Sequence, residues 1–272
     1  MISNILYSIK RQIRRVTEYP LVEINDYISQ KPIEQKINPI VHQTWIDKKF
    51  GKTHAKQIVN FRNLNKNLSF KIYNDQQMED YMNKEWSSHP IYLIFKNVLI
   101  GPLKTDIFRY CILYQQGGYY FDISRGCSIP LTNLHNKNSD GILTYEDTTC
   151  FIPPNNENIF KLKRPFNHFL QWGLGFKKNH KFLEMLINEI VQNYDFYKNK
   201  NFSNPKLAIL NFTGPGMYTY VMRKYLSQYG IEQLTELDIK FDGKGIFKLK
   251  GSSIRYYTKE SYTYYKNMKI CH

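Results

Sequence analysis

The sequence predicts an α/β fold built on a parallel sheet with crossover helices. Two observations lead to it. Short apolar runs of strand length alternate with helix-length stretches through the first half of the chain, the rhythm of βαβ units. The 272 residues, 42% hydrophobic and 22% charged, suit one large domain with a substantial core.

In chain order, residues 37–45 (INPIVHQTW) read as a short buried strand that ends in polar side chains. Residues 55–65 follow as a helix. Residues 69–73 (SFKIY) alternate as a second strand, and Asp75 is placed to cap a short helix to about residue 82. In residues 101–131, Pro102 suits a first helical turn, and Leu103, Ile107, Tyr110, Cys111 and Tyr114 form one apolar stripe. Gly117 and Gly118 supply a left-handed stop, and residues 119–123 read as a strand. Asp122 thus falls at the C-terminal end of a strand, the edge where open α/β sheets bind ligands. Strand signals are fewer in the second half: residues 141–145 as a strand, 179–197 as a helix capped by Asn179, and NFTGPGMY (211–218) as a turn opening a helix that ends at Gly230. The Tyr- and Lys-rich tail reads as strands over the site or a mobile cover.

The chain carries 38 Lys and Arg against 23 Asp and Glu, a formal net charge of +15. That balance favours polyanionic partners without choosing among nucleic acid, anionic lipid and phosphorylated substrates. No run approaches the roughly 18 apolar residues of a spanning helix. The four cysteines, Cys111, Cys127, Cys150 and Cys271, make no C-x-x-C pair and read as reduced, mostly buried thiols. The seven histidines show no metal-ligand spacing. Residues 1–36 read as an N-terminal basic segment and linker. Ile2, Ile5, Leu6, Ile9, Ile13 and Val16 recur at helical spacing among Lys10, Arg11, Arg14 and Arg15, so the segment either packs as a helix on its own domain or lies on an anionic membrane. It lacks the layout of a secretory signal, which places the expected location in the cytoplasm, at the inner face of the membrane.

Asp106 and Arg109, three apart on the expected helix, suit a helical ion pair or a carboxylate and guanidinium that hold an oxygen-rich ligand. Asp122 suits a strand-end cap or a hard-oxygen ligand to Mg²⁺ or Mn²⁺. His42, Gln43, Thr44 and Trp45 suit strand-end packing or the reading of a nucleobase. Thr213, Gly214, Pro215 and Gly216 make a turn that brings backbone close to a ligand. No phosphate loop, dinucleotide fingerprint or serine elbow is present.

Together, PIVHQTW, KTDIFRYCILYQQGGYYFDIS and TGPG resemble the glycosyltransferases of family 32, over about residues 37–220. The shared pattern, D-x-x-R-Y-x-x-L-x-x-x-G-G-x-Y-x-D-x-D, runs here from Asp106 to Asp122, with Ser124 at its last position. The resemblance implies a GT-A-type nucleotide-sugar-binding fold with a mixed central sheet flanked by helices. It implies one catalytic domain over 37–272, with a donor-binding half at 37–145 and an acceptor-side half at 146–272. It implies sugar transfer from a nucleotide-diphosphate donor to a glycan or lipid-linked acceptor, with retention, in surface polysaccharide synthesis such as capsule or O-antigen, generally with Mn²⁺ or Mg²⁺. Carried over, His42, Gln43, Thr44 and Trp45 border the nucleotide. Asp106 and Arg109 contact the donor sugar, with Gly117, Gly118, Asp122 and Ser124 completing the donor site. Asn167, Thr213, Gly214 and Pro215 line the cleft. Ser124 replaces the second acid, so Asp122 holds the metal with the diphosphate, water and a later residue such as His272 or Asp242, or cations such as Arg125 take part of the metal's role, or the chain is a silent relative. A nucleic-acid-binding module is the alternative of another class; no nucleic-acid recognition motif supports it, and nucleic acid is not an expected partner.

Overall fold

The structure, a computed structural model, describes residues 13, 16–252 and 265–272. A seven-stranded sheet forms its centre. The strands are β1 (Ile40–Thr44), β2 (Ser69–Tyr73), β3 (Gly118–Phe121), β4 (Gly141–Thr149), β5 (Asn167–Phe169), β6 (Gly173–Phe176) and β7 (Leu234–Asp238). Their spatial order is β2-β1-β3-β6-β4-β7, with β5 alongside β4. β1 pairs parallel with β2 and β3, and β4 with β7, whereas β6 runs antiparallel to β3 and β4. The sheet is therefore mixed. The helices are α1 (Lys52–Leu64), α2 (Asp75–Trp86), α3 (Pro90–Asn97), α4 (Gly101–Gln116), α5 (Lys181–Tyr197), α6 (Pro205–Phe212) and α7 (Pro215–Tyr229).

The pleat sends alternate residues of β3 into two cores. Tyr120 joins the larger one with residues of α2 to α7, such as Phe95, Ile107, Phe182 and Tyr218. Tyr119 and Phe121 join the other, with Phe61 of α1, Phe70, Trp172 and Phe241. Both faces of β3 are buried, so Gly118–Phe121 reads as an unbroken apolar run.

The expected elements of the first half are present, with shifted ends. Asn74, not Asp75, caps α2: its side chain accepts from Gln77 N at 2.8 Å while Gln77 Oε1 accepts from Asn74 N at 3.1 Å. This reciprocal box starts the helix one residue earlier than an Asp75 cap would, and the buried Met82 and Trp86 carry it to Trp86. His180, not Asn179, caps α5; Asn179 sits at φ +56°, a left-handed setting that asparagine tolerates. β5, β6 and β7 were not anticipated. Residues 20–36, expected as a linker, pack into the domain. Tyr27 and Phe70 exchange backbone hydrogen bonds at 2.9 and 2.7 Å, Ile24 and Ile37 are buried, and Lys36 pairs with Asp140 at 2.8 Å. The N-terminal amphipathic stripe falls mostly on residues 1–12, outside the described residues, as does the expected cover at 253–264. The four cysteines are free and buried, and no described helix is long and apolar enough to cross a membrane.

Gly118 sits at φ +100°, and a Cβ there would lie 2.6 Å from the Ile40 carbonyl oxygen across the β1–β3 pairing. Gly118→Ala is expected to lower stability by about 2–4 kcal/mol through strain plus the clash with backbone. Urea unfolding reads this directly; a loss under about 0.5 kcal/mol would mean the pairing yields without strain.

Candidate functional site

Helix α4 starts on Pro102 and stops at Gly117, φ +67°. Between them almost every side chain from Leu103 to Leu113 is buried. Asp106 and Arg109 therefore have no solvated face and must satisfy their charges inside the protein. The side chains of Arg109 and Asp106 are only 6% and 9% exposed.

The chain brings three segments to meet them. Asp122 lies one residue past β3, its N–H donating to the Trp172 carbonyl at 2.9 Å. Residues 170–172 interrupt what would be one antiparallel strand from β5 to β6, and this break turns the Gln171 carbonyl toward α4. Arg109 Nη1 donates to that carbonyl at 3.0 Å, and Nη2 reaches Asp122 Oδ1 at 3.1 Å and Asp106 Oδ1 at 3.3 Å. The guanidinium also lies over the Tyr120 ring, 4.6 Å from its centroid. Asp106 Oδ2 accepts from the Thr213 hydroxyl at 3.0 Å, and Oδ1 from Gln171 Nε2 at 3.3 Å. Tyr110 donates its hydroxyl to the Thr213 carbonyl at 2.7 Å and accepts from Gln171. Asp122, with its side chain 32% exposed, is where this group reaches solvent.

Burial pushes the Asp106 carboxyl up to about 7, against the opposing pull of Arg109, Thr213 and Gln171. Burial alone would lower the Arg109 pKa, but Asp122, then Tyr120 and Asp106, outweigh it and hold the guanidinium charged. The group thus has a fixed buried cation, a carboxyl poised near neutrality, and a second carboxylate at the surface.

Of the expected site residues, Asp106, Arg109, Asp122 and Thr213 come together. Gly214 caps α7 and Pro215 opens it, immediately after Thr213. Thr44 is joined less directly, its hydroxyl bonded to that of Tyr120 at 2.8 Å. His42 lies inside the sheet, with Nδ1 3.2 Å from the Tyr73 hydroxyl and Nε2 3.1 Å from the Gly117 carbonyl. Both ring nitrogens are engaged within the protein, because His42 points from the middle of a strand buried on both faces. Gln43 is buried, and its Oε1 has no partner among the described residues. Trp45 packs on a small cluster that includes Phe50 and Ile123. Gly117 and Gly118 shape the turn from α4 into β3. Asn167 binds the Glu146 carbonyl at 2.8 Å on the rim of β4, apart from the Asp106 group. Ser124 is buried, its carbonyl accepting from Leu249 N at 2.7 Å. The backbone of His272 donates its N–H to the Asn97 carbonyl at 3.0 Å and accepts from the Tyr194 hydroxyl. Asp242 accepts from Asp238 N at 2.6 Å. No group of three or more His, Cys, Asp or Glu stands together as a metal site among the described residues.

Three participants escaped the sequence analysis. Gln171 supplies four of the group's contacts, its carbonyl to Arg109 and its amide to Asp106, Tyr110 and the Thr213 carbonyl, and a lone amide in the apolar run FLQWGLGF was the available signal. Tyr110 was read only as part of the apolar stripe. His54 of α1 braces the turn after β3, its Nε2 3.0 Å from the Ile123 carbonyl.

The sequence profile described as "Glycosyltransferase sugar-binding region containing DXD motif" matches residues 7–141. The chain is 25% identical over 209 residues to inositol phosphoceramide mannosyltransferase 1 of Schizosaccharomyces pombe, covering 76% of this chain and 57% of that protein. It is 27% identical over 220 residues to the initiation-specific alpha-1,6-mannosyltransferase of Candida albicans, covering 74% and 55%. The chain thus spans a little over half the length of these curated relatives. Among solved structures, PaToxG glycosyltransferase superposes with a TM-score of 0.50 at 15% identity, over 85% of this chain and 79% of that one, a likeness of fold.

Burial lowers the His42 pKa from 6.5 to about 4. The unfolded chain therefore takes up a proton that the folded chain refuses, and stability falls as pH drops from 6.5 toward 4. The full loss is about 3 kcal/mol. His42→Gln removes this dependence, so the stability advantage of wild type over the variant should shrink across that window. Urea unfolding at pH 7 and pH 4.5 measures it; a constant difference would show that the ring is not held neutral.

Proposed function

From the match of residues 7–141 to the glycosyltransferase sugar-binding region containing a DXD motif, we propose that the chain is a glycosyltransferase that moves a hexosyl group from a nucleotide-diphosphate sugar to a hydroxyl of a glycan or lipid-linked acceptor, with retention. The relatives' names favour a mannosyl group as the first donor to test. They do not point specifically to capsule or O-antigen synthesis, which stays within the proposal as one form of surface polysaccharide. The observation that carries the reading is the buried Asp106–Arg109 pair leading to a partly exposed Asp122 at the C-terminal edge of the sheet.

In this reading Asp122 faces the donor. Arg109 orients its carboxylate and contributes a fixed positive charge near the departing diphosphate, in a site where little rearrangement is needed. The narrow exposure of Asp106 and Arg109 leaves room for donor hydroxyls at their edge rather than for a whole ring. Asp106, its pKa raised by burial, either accepts a bond from a sugar hydroxyl or, when protonated, donates one. On a retaining course the acceptor hydroxyl attacks from the leaving-group face, and a diphosphate oxygen takes its proton.

The oxygen donors here suit Mg²⁺ or Mn²⁺. A single carboxylate with a neighbouring hydroxyl is consistent with a cation held largely by phosphate oxygens and water. Asp122 and Ser124 would hold it. Such a cation would offset charge developing on the diphosphate.

Asp122→Asn is expected to reduce sugar transfer by about 100-fold or more while leaving the fold intact. The assay is product formation from nucleotide-diphosphate mannose, with and without Mn²⁺, and circular dichroism as the control. Transfer within about threefold of wild type would remove Asp122 from the reaction. The anomeric coupling of the product, read by NMR, tests retention independently.

A further inference from the structure

We propose that the loop of residues 150–166 docks the protein on an anionic lipid bilayer. β4 runs out of the sheet into this loop, and Cys150 N closes its base by donating to the Phe166 carbonyl at 2.7 Å. Arg223 of α7, itself 4% exposed, bolts both arms, donating to the Ile152 carbonyl and to the Pro165 carbonyl, the latter at 2.7 Å. Ile159 and Leu162 bury the underside in the larger core. The loop is therefore a built projection with a defined outer face.

That outer face is apolar and basic. Phe151 is 98% exposed, Phe160 56%, Phe166 52% and Ile152 41%. The rings of Phe160 and Phe166 meet edge to face, 6.3 Å apart. A cluster of large apolar side chains held in water on a pinned loop marks a surface that meets an apolar phase. Lys161, Lys163 and Arg164 stand beside it, with Glu157 in the loop and Glu236 and Asp238 at its base. The Glu236 carboxylate accepts the Lys163 backbone N–H at 2.7 Å, the Lys163 ammonium donates to the Glu236 carbonyl at 3.1 Å, and Arg164 is neutralised by Asp238, which leaves the ammonium groups of Lys161 and Lys163 as the basic contribution of the loop. Aromatic side chains flanked by lysines are the composition of a segment that lies in the headgroup layer: rings enter the acyl boundary and the ammonium groups remain at the phosphates. The net charge of +15 adds long-range attraction to an anionic leaflet.

Arg223 lies eight residues along α7 from Pro215, about 12 Å on the helix axis. Thr213, just before that helix, bonds Asp106. The same helix thus links the docking loop to the Asp106 group. If the transferase reading holds, docking presents the site to acceptors carried in the membrane; the docking itself does not depend on that reading.

The test is flotation of the full chain with phosphatidylcholine vesicles and with vesicles containing about one-third phosphatidylglycerol. Wild type is expected to bind the anionic vesicles preferentially, and Phe151→Ser combined with Phe160→Ser to weaken that binding at least about tenfold. The N-terminal segment is unchanged in both proteins, so the difference reads the loop alone. Phe151→Trp is expected to shift its emission to shorter wavelength on adding anionic vesicles. Equal binding by wild type and the double variant, equal binding to both vesicle types, or an unmoved Phe151→Trp emission would each overturn the proposal. So would sedimentation showing a dimer that the double variant abolishes, which would assign the face to a second copy of the chain. Donor binding, followed by thermal shift, should not change in either variant; its absence in wild type would count against the transferase reading and leave docking standing.

Discussion

The site depends on a guanidinium that has been taken out of water. Arg109 is surrounded by protein, and an unpaired charge there would be strongly destabilising. Its fork resolves this by binding three acceptors from three parts of the chain: Asp106 on its own helix, Asp122 past β3, and the Gln171 carbonyl in the break between β5 and β6. The Tyr120 ring covers its face. A lysine has neither the planar fork nor the reach to do this at once. Loss of any one partner leaves charge or a carbonyl unsatisfied, so the contacts hold one another in place.

The mixed sheet supplies one of these partners. β6 lies antiparallel between β3 and β4, and its run toward β5 is broken at residues 170–172. The break frees the Gln171 carbonyl, which receives Arg109, while the Trp172 carbonyl continues the β3–β6 register and receives the N–H of Asp122. Thr213, bonded to Asp106, then ties the start of α7 to the same group, and α7 carries the constraint outward to the loop that Arg223 clasps. The Asp106 group and the apolar outer loop are thereby connected through one helix.

The elements that were legible share a physical character. β1, β2 and α4 are local: their apolar periodicity, their proline and glycine stops and their lengths are written in consecutive residues. α4 and its Gly117–Gly118 exit place Asp122 at a strand end on local signals alone. β5 and β6 were not legible because the segment NHFLQWGLGF is buried on both faces, short in each piece and interrupted by glycine, so it carries no alternation. Gln171 was hidden for the same reason: its role comes from the bend in the chain, not from its neighbours in sequence. His42 and Trp45 carry chemically suggestive side chains, yet the sheet engages His42 internally and packs Trp45 beside Ile123, because a strand between two buried faces leaves few directions open.

What the sequence alone determined is the presence of an α/β core, the helix-to-strand unit that ends in Asp122, and the three-residue spacing that pairs Asp106 with Arg109. These rest on short-range periodicity and sterics, which neighbouring residues settle among themselves. Tertiary structure alone decided that the pair is buried and that it is shared with Asp122, Gln171 and Thr213. Those outcomes depend on which segments of a long chain the packing brings into contact, and the electrostatics of a carboxyl or guanidinium follow from that company rather than from its place in the sequence.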